Sequence, residues 1–597
     1  MFNTANNNGF TVKAYQGDVK TLLAFDLPQA QTTGLAGFTI AYTPPGGPQY
    51  FIYNQLTLQG GPGQAQVQTE PAQSTANAPI QKFRWTHVPG NFHQGDQVAY
   101  GNYVYQVTPR YFDPAGGLQL IDPTLSVEVT IAVQPFVKGS TALGFTRGFV
   151  QSQAFASHFG VSALFKPKGG TLLFDTSASA GTNSAGQSYT FAQEYAWCGS
   201  TARTLIFDVL NEVLGDNTLA LDMFAYDLNE PDVLKLLLQL ATQGRISLIL
   251  DNASLHHDAS RDKPEDEFED QFNKVKTGNA YLLRGKFGRY QHNKVLIVKK
   301  AGKAAKVLSG STNFSVTGMY VNSNHVIVFD DPTVASIYSD VFVEAWNDKV
   351  SESAFVKSAE STQSFPLTLP GVSAASVTFA PHVAATALAN LQKITDRINA
   401  ETSSVLFAVM DTGPTSSGPL IPALVQLHLN QKIYNAGISD STNNISLYKP
   451  NDPAGEAVTG KPSQVLLPPP FNKEASIGMG HQVHDKFIVC GFNTPSAVVW
   501  LGSSNLALGG EEQNGDNLIE VHDTDIATAF AIEAIDLVDH FNFRDQYSSA
   551  AQTKAAQAAA GQTGPTPQGL TLTATDAWVA SYYDATDYHM RERILFR

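Results

Sequence analysis

The chain of 597 residues has only 2 cysteines, Cys198 and Cys490. Two thiols make neither a disulfide framework nor a four-cysteine zinc site, so the redox compartment stays open, with a lean towards reducing. The start, Met1-Phe2-Asn3-Thr4-Ala5-Asn6-Asn7-Asn8, has no basic patch followed by an apolar run. No secretory signal is read there, which leaves a cytoplasmic place by default or export by a signal-less route. No stretch approaches ~18 unbroken apolar residues, so no transmembrane segment is expected, and a membrane substrate is reached from the water side. Charged residues are scarce at 15%, and Lys+Arg 38 against Asp+Glu 53 leaves −15. A protein that coats duplex nucleic acid is normally basic, so the balance counts against that role while leaving room for a local basic groove. Hydrophobic residues, at 43%, are plentiful enough for sizeable cores and argue against a disordered chain.

Residues 1–136 read as an all-β sandwich of about seven strands. Runs such as Thr21 to Phe25, Gly37 to Tyr42, Tyr50 to Tyr53, Tyr100 to Val107 and Ser126 to Ile131 are punctuated by turns such as Pro44-Pro45-Gly46-Gly47. The Trp85 region and the Tyr103-Val104-Tyr105-Gln106-Val107 strand resemble a fibronectin type III or immunoglobulin-like module, a type that more often mediates contacts than catalysis. An α/β rhythm follows. Thr171 to Asp175 reads as a strand, Thr201 to Val213 as a helix, Leu219 to Ala225 as a strand, Asp232 to Gln243 as a helix ending at Gly244, and Ile246 to Leu250 as a strand. The layout returns with a strand at Ala375 to Phe379, a helix from Ala385 to Ala400, a strand at Val405 to Val409 and a helical pattern from Ile421 to Gln431. The expected division is a sandwich at 1–136, one α/β half at 137–352, its repeat at 353–546, and a linker with a polar, aromatic tail at 547–597. The six carboxylates from Asp262 to Asp270 read as a solvated face in preference to a metal site.

Two segments carry the chemistry. His292-Asn293-Lys294 is followed by Gly310-Ser311-Thr312-Asn313, and His484-Asp485-Lys486 by Gly502-Ser503-Ser504-Asn505. The histidine-to-glycine spacing is the same in both copies (310 − 292 = 502 − 484 = 18), and so is the spacing to Asn324 and Asp516 (324 − 292 = 516 − 484 = 32). One such motif is a common accident; two in step are not. In a strand, residues i and i+2 share a face, so His-x-Lys sets an imidazole beside an ammonium. Two halves facing each other would gather two His, two Lys and two Asn around one anion. Lys and Asn suit the non-bridging oxygens of a phosphodiester. One imidazole can attack phosphorus while the other protonates the leaving oxygen, and the ammonium groups do the electrostatic work of a metal, so neither cofactor nor metal is expected.

These segments resemble the His-x-Lys-x4-Asp and Gly-Ser-x-Asn motifs of the phospholipase D superfamily, which includes phospholipases, phospholipid synthases, metal-independent nucleases and tyrosyl-DNA phosphodiesterase. The resemblance covers about residues 165–546. It implies a fold of two pseudo-twofold-related α/β halves and a phosphohistidine intermediate, with the catalytic roles falling on His292, Lys294, Asn313, His484, Lys486 and Asn505. The motif aspartate is replaced by Lys299 and Gly491, a position that is mainly structural in the family and also missing from tyrosyl-DNA phosphodiesterase. Family members often place an acid at the positions of Asp516 and Asn324 to hold the motif histidine. The expectation is that Asp516 holds His484, making it the proton donor, and that His292 beside neutral Asn324 is the nucleophile. Ser311 and Ser503 are expected to support substrate binding.

The substrate is less legible. Arg284, Lys286, Arg289 and Lys299-Lys300 form a basic neighbourhood that a polyanion could use, although 299–306 reads more simply as an exposed hairpin. The leading expectation is hydrolysis or transfer of the phosphatidyl group of a phospholipid at a membrane surface. A nuclease on DNA or RNA and a degenerate phosphate-binding scaffold are the alternatives. Two copies in one chain make a monomer sufficient for a complete site.

Overall fold

The computed structural model describes residues 1–597 apart from 55, 60–65, 91–92, 94–97, 149–151, 161–162, 184, 411–417, 442–444, 461–481 and 560–570, and the side chains of 153 and 544–559. In the N-terminal region, β1 (Phe2–Asn7), β2 (Phe10–Gln16), β3 (Thr21–Asp26), β4 (Leu35–Thr43), β5 (Tyr50–Phe51), β6 (Arg84–His87), β7 (Gly101–Tyr111) and β8 (Val127–Val133) form two four-stranded antiparallel sheets. Their orders are β1-β2-β3-β6 and β5-β4-β7-β8. Strand β3 shows what places this sandwich. Leu23 and Phe25 point into its core with Phe38 and Tyr105, while Leu22 and Ala24 join a different core, that of the α/β body. Both faces of the strand are buried, which explains the unbroken apolar run of Thr21 to Phe25.

The body begins with β9 (Phe136–Lys138) and β10 (Thr141–Phe145). A small hairpin, β11 (Ser179–Thr182) with β12 (Ser188–Thr190), precedes β13 (Leu219–Ala225), β14 (Ile246–Asp251), β15 (Tyr281–Gly285), β16 (Tyr290–Gln291), β17 (Val295–Lys300), β18 (Lys303–Gly310) and β19 (His325–Phe329). The first large sheet runs β15-β14-β13-β17-β18-β19-β10-β9. The later strands are β20 (Phe365–Leu367), β21 (Ala374–Ala380), β22 (Ser404–Val409), β23 (Tyr434–Ser439), β24 (Ser446–Lys449), β25 (Asp452–Ala457), β26 (Lys486–Cys490), β27 (Val498–Gly502) and β28 (Asn514–His522). The second large sheet runs β20-β21-β28-β27-β26-β22-β23. The path β14-β13-β17-β18-β19-β10 is matched by β23-β22-β26-β27-β28-β21, each with one parallel pairing at its start and antiparallel pairings after it. One core joins the two sheets. It takes Ile297 and Ile327 from the first, Phe487 and Ile519 from the second, and Phe530 and Val538 from the helix Thr524–Ala559.

Several sequence expectations need correction. Thr171 to Asp175 is not a strand but turns, whose Leu172, Leu173 and Phe174 rest partly buried on the first half. The helix expected from Thr201 is the second part of Phe191–Gly215, which kinks at Ser200 (φ 46°, ψ −138°). The pattern from Ile421 shortens to Leu420–Val425 and a 3-10 turn, Leu427–Leu429. The linker expected from 547 is helical to Ala559, because Ala is the strongest helix former; its remainder, 560–569, lies outside the described residues. The polar tail is a packed element: Val579 and Tyr582 enter the sandwich core, and Tyr588 and Phe596 enter the body core. Arg84 links these parts, donating through Nε to Glu592 at 2.7 Å and through Nη2 to Asp539 at 2.9 Å. The acidic run is solvated at Asp262, Glu267 and Asp270, as expected, but not throughout. Glu265 and Asp266, in the helix Pro264–Val275, are buried.

Candidate functional site

Two short parallel backbone pairings stitch the halves together where the histidines lie. Strand β16 pairs with β28, and the His292 N–H donates to the Gly515 carbonyl at 2.9 Å. Symmetrically, Ser323 bridges to Val483, and the His484 N–H donates to the Ser323 carbonyl at 3.1 Å. A strand-end aspartate anchors each crossing. Asp251 accepts from the Gln291 N–H at 2.6 Å, and Asp440 accepts from the Val483 N–H at 3.1 Å.

The histidine partners are crossed. His292 Nδ1 donates to Asp516 Oδ1 at 2.7 Å, and His484 Nδ1 donates to Asn324 Oδ1 at 2.8 Å. This overturns the expected pairing of His484 with Asp516. The acceptor comes from the opposite half, because each stands at the seam end of the strand that pairs with the other half's histidine segment. Asn324 Nδ2 donates to the Gly318 carbonyl at 2.8 Å, which leaves its Oδ1 facing the ring. His484 Nδ1 therefore carries a hydrogen, and its Nε2 is the atom left for chemistry. The same logic applies to His292, whose partner is a carboxylate.

Ser311 and Ser503 stand behind these acceptors. Each hydroxyl donates at 2.8 Å, to Asn324 Oδ1 and Asp516 Oδ1 respectively, and accepts at 3.0 Å the N–H of His325 or Asn517. Both are fully buried with their single donor in use, as hydrogen-bond supports behind the acceptors. Gly310 (φ +146°) and Gly502 (φ +137°) let the backbone come close, since a Cβ there would meet the His325 carbonyl at 2.3 Å or the Asn517 carbonyl at 2.5 Å.

The middle residues of the two motifs also reach across the seam. Asp485 Oδ1 accepts from His325 Nδ1 at 2.9 Å, and Asn293 Oδ1 accepts from Asn517 Nδ2 at 2.9 Å. Sequence reasoning passed over these four residues. Their signal was the matched position one residue after each histidine and after each of Asn324 and Asp516.

Lys294 and Lys486 are buried, and each ammonium donates to its own histidine's carbonyl, Lys486 at 2.6 Å. Burial pulls Lys294 down to about 7 against the opposing pull of Asp516, Asp227 and Asp251. Burial, reinforced by Lys294, holds Lys486 well below its ordinary value. Burial likewise lowers His292 to about 4, although Asp516 works to raise it. Its ring is thus neutral at pH 7. Asn313 Oδ1 and Asn505 Oδ1 are buried without a hydrogen-bond partner among the described residues. Two desolvated ammonium groups suit an anion, while the two carboxamide oxygens are acceptors that call for a donor. Tyr226 closes one side, its ring edge-on to His292 with centroids 4.7 Å apart and 4.8 Å from Lys294 Nζ.

The basic neighbourhood is mostly committed elsewhere. Lys299 pairs with Asp222 at 2.5 Å, Lys306 pairs with Glu212 at 2.7 Å, and half-buried Arg284 donates to the His256 carbonyl at 2.7 Å. Residues 299–306 are the β17–β18 hairpin. Lys299 and Gly491, where the motif aspartates would stand, lie five residues beyond the lysines, or roughly 16 Å along a strand, away from the pocket.

Residues 215–346 match the family model described as "Cardiolipin synthase, PLD-like domain", so the α/β fold over this stretch is phospholipase D-like, as the motifs imply. No curated protein matches the chain by sequence. Among solved structures, polyphosphate kinase from Porphyromonas gingivalis is 13% identical at a TM-score of 0.37, over 62% of this chain and 53% of that one, about half its length. Phosphatidylserine synthase from Haemophilus influenzae is 11% identical at 0.38, over 61% of this chain and 91% of that one. Nuc from Salmonella typhimurium, a phospholipase D family member, is 23% identical at 0.20, over 24% of this chain and 87% of that one.

Proposed function

We propose that this chain is a metal-independent phosphodiesterase of the phospholipase D type, in which His292 is the nucleophile and His484 the general acid and base. The observation that carries this reading is the crossed pairing: His292 to Asp516, His484 to Asn324. His292 Nε2 attacks phosphorus, the bond to the leaving oxygen breaks, and that oxygen takes a proton from His484 Nε2. Water or an acceptor alcohol then gives its proton back to His484 while its oxygen displaces the imidazole from phosphorus. Asp516 suits the nucleophile because the phosphorylated ring is positive and a carboxylate at Nδ1 stabilises it. Asn324 suits the acid and base because a neutral acceptor orients the ring without locking a proton onto it. The role assignment is the one expected from the motifs, but for the opposite electrostatic reason. Lys294, Lys486, Asn313 and Asn505 meet the non-bridging oxygens.

A phosphatidyl group is the favoured substrate, supported by the name of the matching family model and by a net charge of −15, which disfavours polynucleotides. We read the N-terminal sandwich as a fibronectin III-like module that braces the body, in keeping with the two-sided burial of β3.

Bis(p-nitrophenyl) phosphate, whose leaving group needs little acid help, tests the roles. With chelator present, the wild type should turn over. His484→Ala should release one equivalent and stall as a phosphoenzyme, and His292→Ala should do neither. Covalent phosphate on His484, or turnover by His292→Ala, overturns the assignment. A panel of phospholipid vesicles against single-stranded DNA decides the substrate, and preferential DNA cleavage would make the chain a nuclease.

A further inference from the structure

A second polar cluster lies next to the histidine pocket and takes no part in the proposed reaction. Asp227, His256 and Glu265 each offer one potential ligand atom, and these atoms lie within 4.8 Å of one another. They come from three separate elements: the loop after β13, the turn after β14, and the first turn of the helix Pro264–Val275. We propose that these three side chains bind one divalent first-row metal ion.

The protonation pattern asks for a cation here. His256 Nδ1 donates to Asp251 Oδ2 at 2.9 Å, which makes Nδ1 the N–H position of the ring. Nε2 then faces Asp227 Oδ1 at 3.4 Å, and a metal ion between the two would take both as ligands. Ligand atoms about 2.1 Å from zinc at the tetrahedral angle are about 3.4 Å apart, so the His256–Asp227 gap matches that spacing, while the set of three, within 4.8 Å, would close around an ion.

Each ligand is also oriented from behind, as metal-binding side chains commonly are. Asp251, which receives the His256 N–H, is itself held by the Ala253 N–H at 2.8 Å and the Gln291 N–H at 2.6 Å. Glu265 Oε1 accepts the Leu228 N–H at 2.9 Å, and Asp227 Oδ2 accepts the Ser315 hydroxyl at 3.1 Å. His256 and Glu265 are buried, while Asp227 is open enough to admit an ion.

Charge and composition point the same way. Three carboxylates, those of Asp227, Asp251 and Glu265, converge on one imidazole. Arg284 donates to the His256 carbonyl and Lys294 to the carbonyl of His292, and both act on these carboxylates through space. A proton on His256 is the competing occupant. One imidazole and two carboxylates with an open fourth position suit zinc or manganese better than a hard all-oxygen ion. The ion would lie across Tyr226 from the nucleophile, since that ring is edge-on both to His256, at 4.4 Å between centroids, and to His292. It would draw Asp227 and Asp251 away from Lys294 and leave that ammonium to the substrate.

Titration of the chelator-stripped full chain with zinc chloride, followed by calorimetry, tests this. One zinc per chain at about micromolar affinity or tighter is expected. Glu265→Gln and His256→Gln should abolish it, and Asp251→Asn should weaken it about 10- to 100-fold. Cobalt(II) on the wild type should give a visible absorption band that zinc abolishes, a readout that needs no variant to fold. Absence of zinc binding, absence of the cobalt band, or equal binding in folded Glu265→Gln overturns the proposal. Metal binding is read without substrate, so zinc bound to a chain inert towards diesters would sink the proposed activity and leave the metal site standing.

Discussion

Asn324 occupies, for His484, the place that Asp516 occupies for His292: its Oδ1 lies 2.8 Å from the ring Nδ1 of a histidine in the other half. Replacing the amide by a carboxylate tests whether neutrality matters there. Asn324→Asp should hold a proton on His484 and slow the step that needs it as a base. Steady-state turnover of bis(p-nitrophenyl) phosphate should fall about tenfold or more while the first turnover stays fast, so that a burst appears. Stopped-flow absorbance reads both phases, and unchanged turnover would remove Asn324 from the mechanism.

The buried pocket sets a pH window. The nucleophile works while His292 is neutral, which holds above about 4, and Lys294 attracts an anion while charged, which holds below about 7. The profile of kcat/KM should therefore be a bell between those limits, displaced to acid from ordinary His and Lys values. In Lys294→Arg the part of the basic limb set by Lys294 should disappear even if the peak falls, because guanidinium stays charged, while buried Lys486 keeps its own share. Stability carries its own sign. As pH falls from 6.5 towards about 4, the unfolded His292 takes a proton that the folded ring refuses, so the wild type should lose stability there. His292→Gln should flatten that part of the curve, as measured by urea unfolding at each pH.

Gly310 and Gly502 should resist substitution. A Cβ at either would press on a backbone carbonyl that cannot rotate away, at 2.3 Å and 2.5 Å. Gly310→Ala should cost more than about 2 kcal/mol by chemical denaturation and lower turnover by shifting Ser311 and with it Asn324. Gly46→Ala is the control, since a Cβ there meets nothing within 4 Å although its φ is also positive, at +68°.

The sandwich is tied to the body by a buried ion cluster. Lys20 Nζ lies 2.6 Å from Glu533 and 2.7 Å from Asp536, on the helix through the shared core. Lys20→Met should destabilise by about 3–5 kcal/mol, because it strands two carboxylates. Lys20→Met with Glu533→Gln should recover part of that loss, and a double-mutant cycle by urea unfolding measures the coupling. Strict additivity would mean that the cluster is not a unit.

The motif spacings carried most of the site. Equal intervals of 18 and 32 brought His292, Lys294, His484, Lys486, Asn324 and Asp516 to matched topological places. Spacing does not say towards which half a side chain leans, and the crossed pairing turns on that. Asn324 belongs to the first half by chain order, yet its strand opens at the seam beside Val483, so its nearest imidazole is that of His484. The linker expected from 547 is helical as far as Ala559, since alanine favours helix wherever a folded helix can be extended. Thr171 to Asp175 was apolar enough for a strand, but too short for periodicity to separate a strand from a buried turn.

The crossed clamps bear on how such a duplicated chain can change. Neither copy owns a complete histidine: the ring is supplied by one and its orientation by the sister. A substitution at 324 is felt at 484, and one at 516 is felt at 292, so the repeats cannot drift apart as independent genes would. On the proposed reading, their neutral and acidic partners are a division of labour between twins.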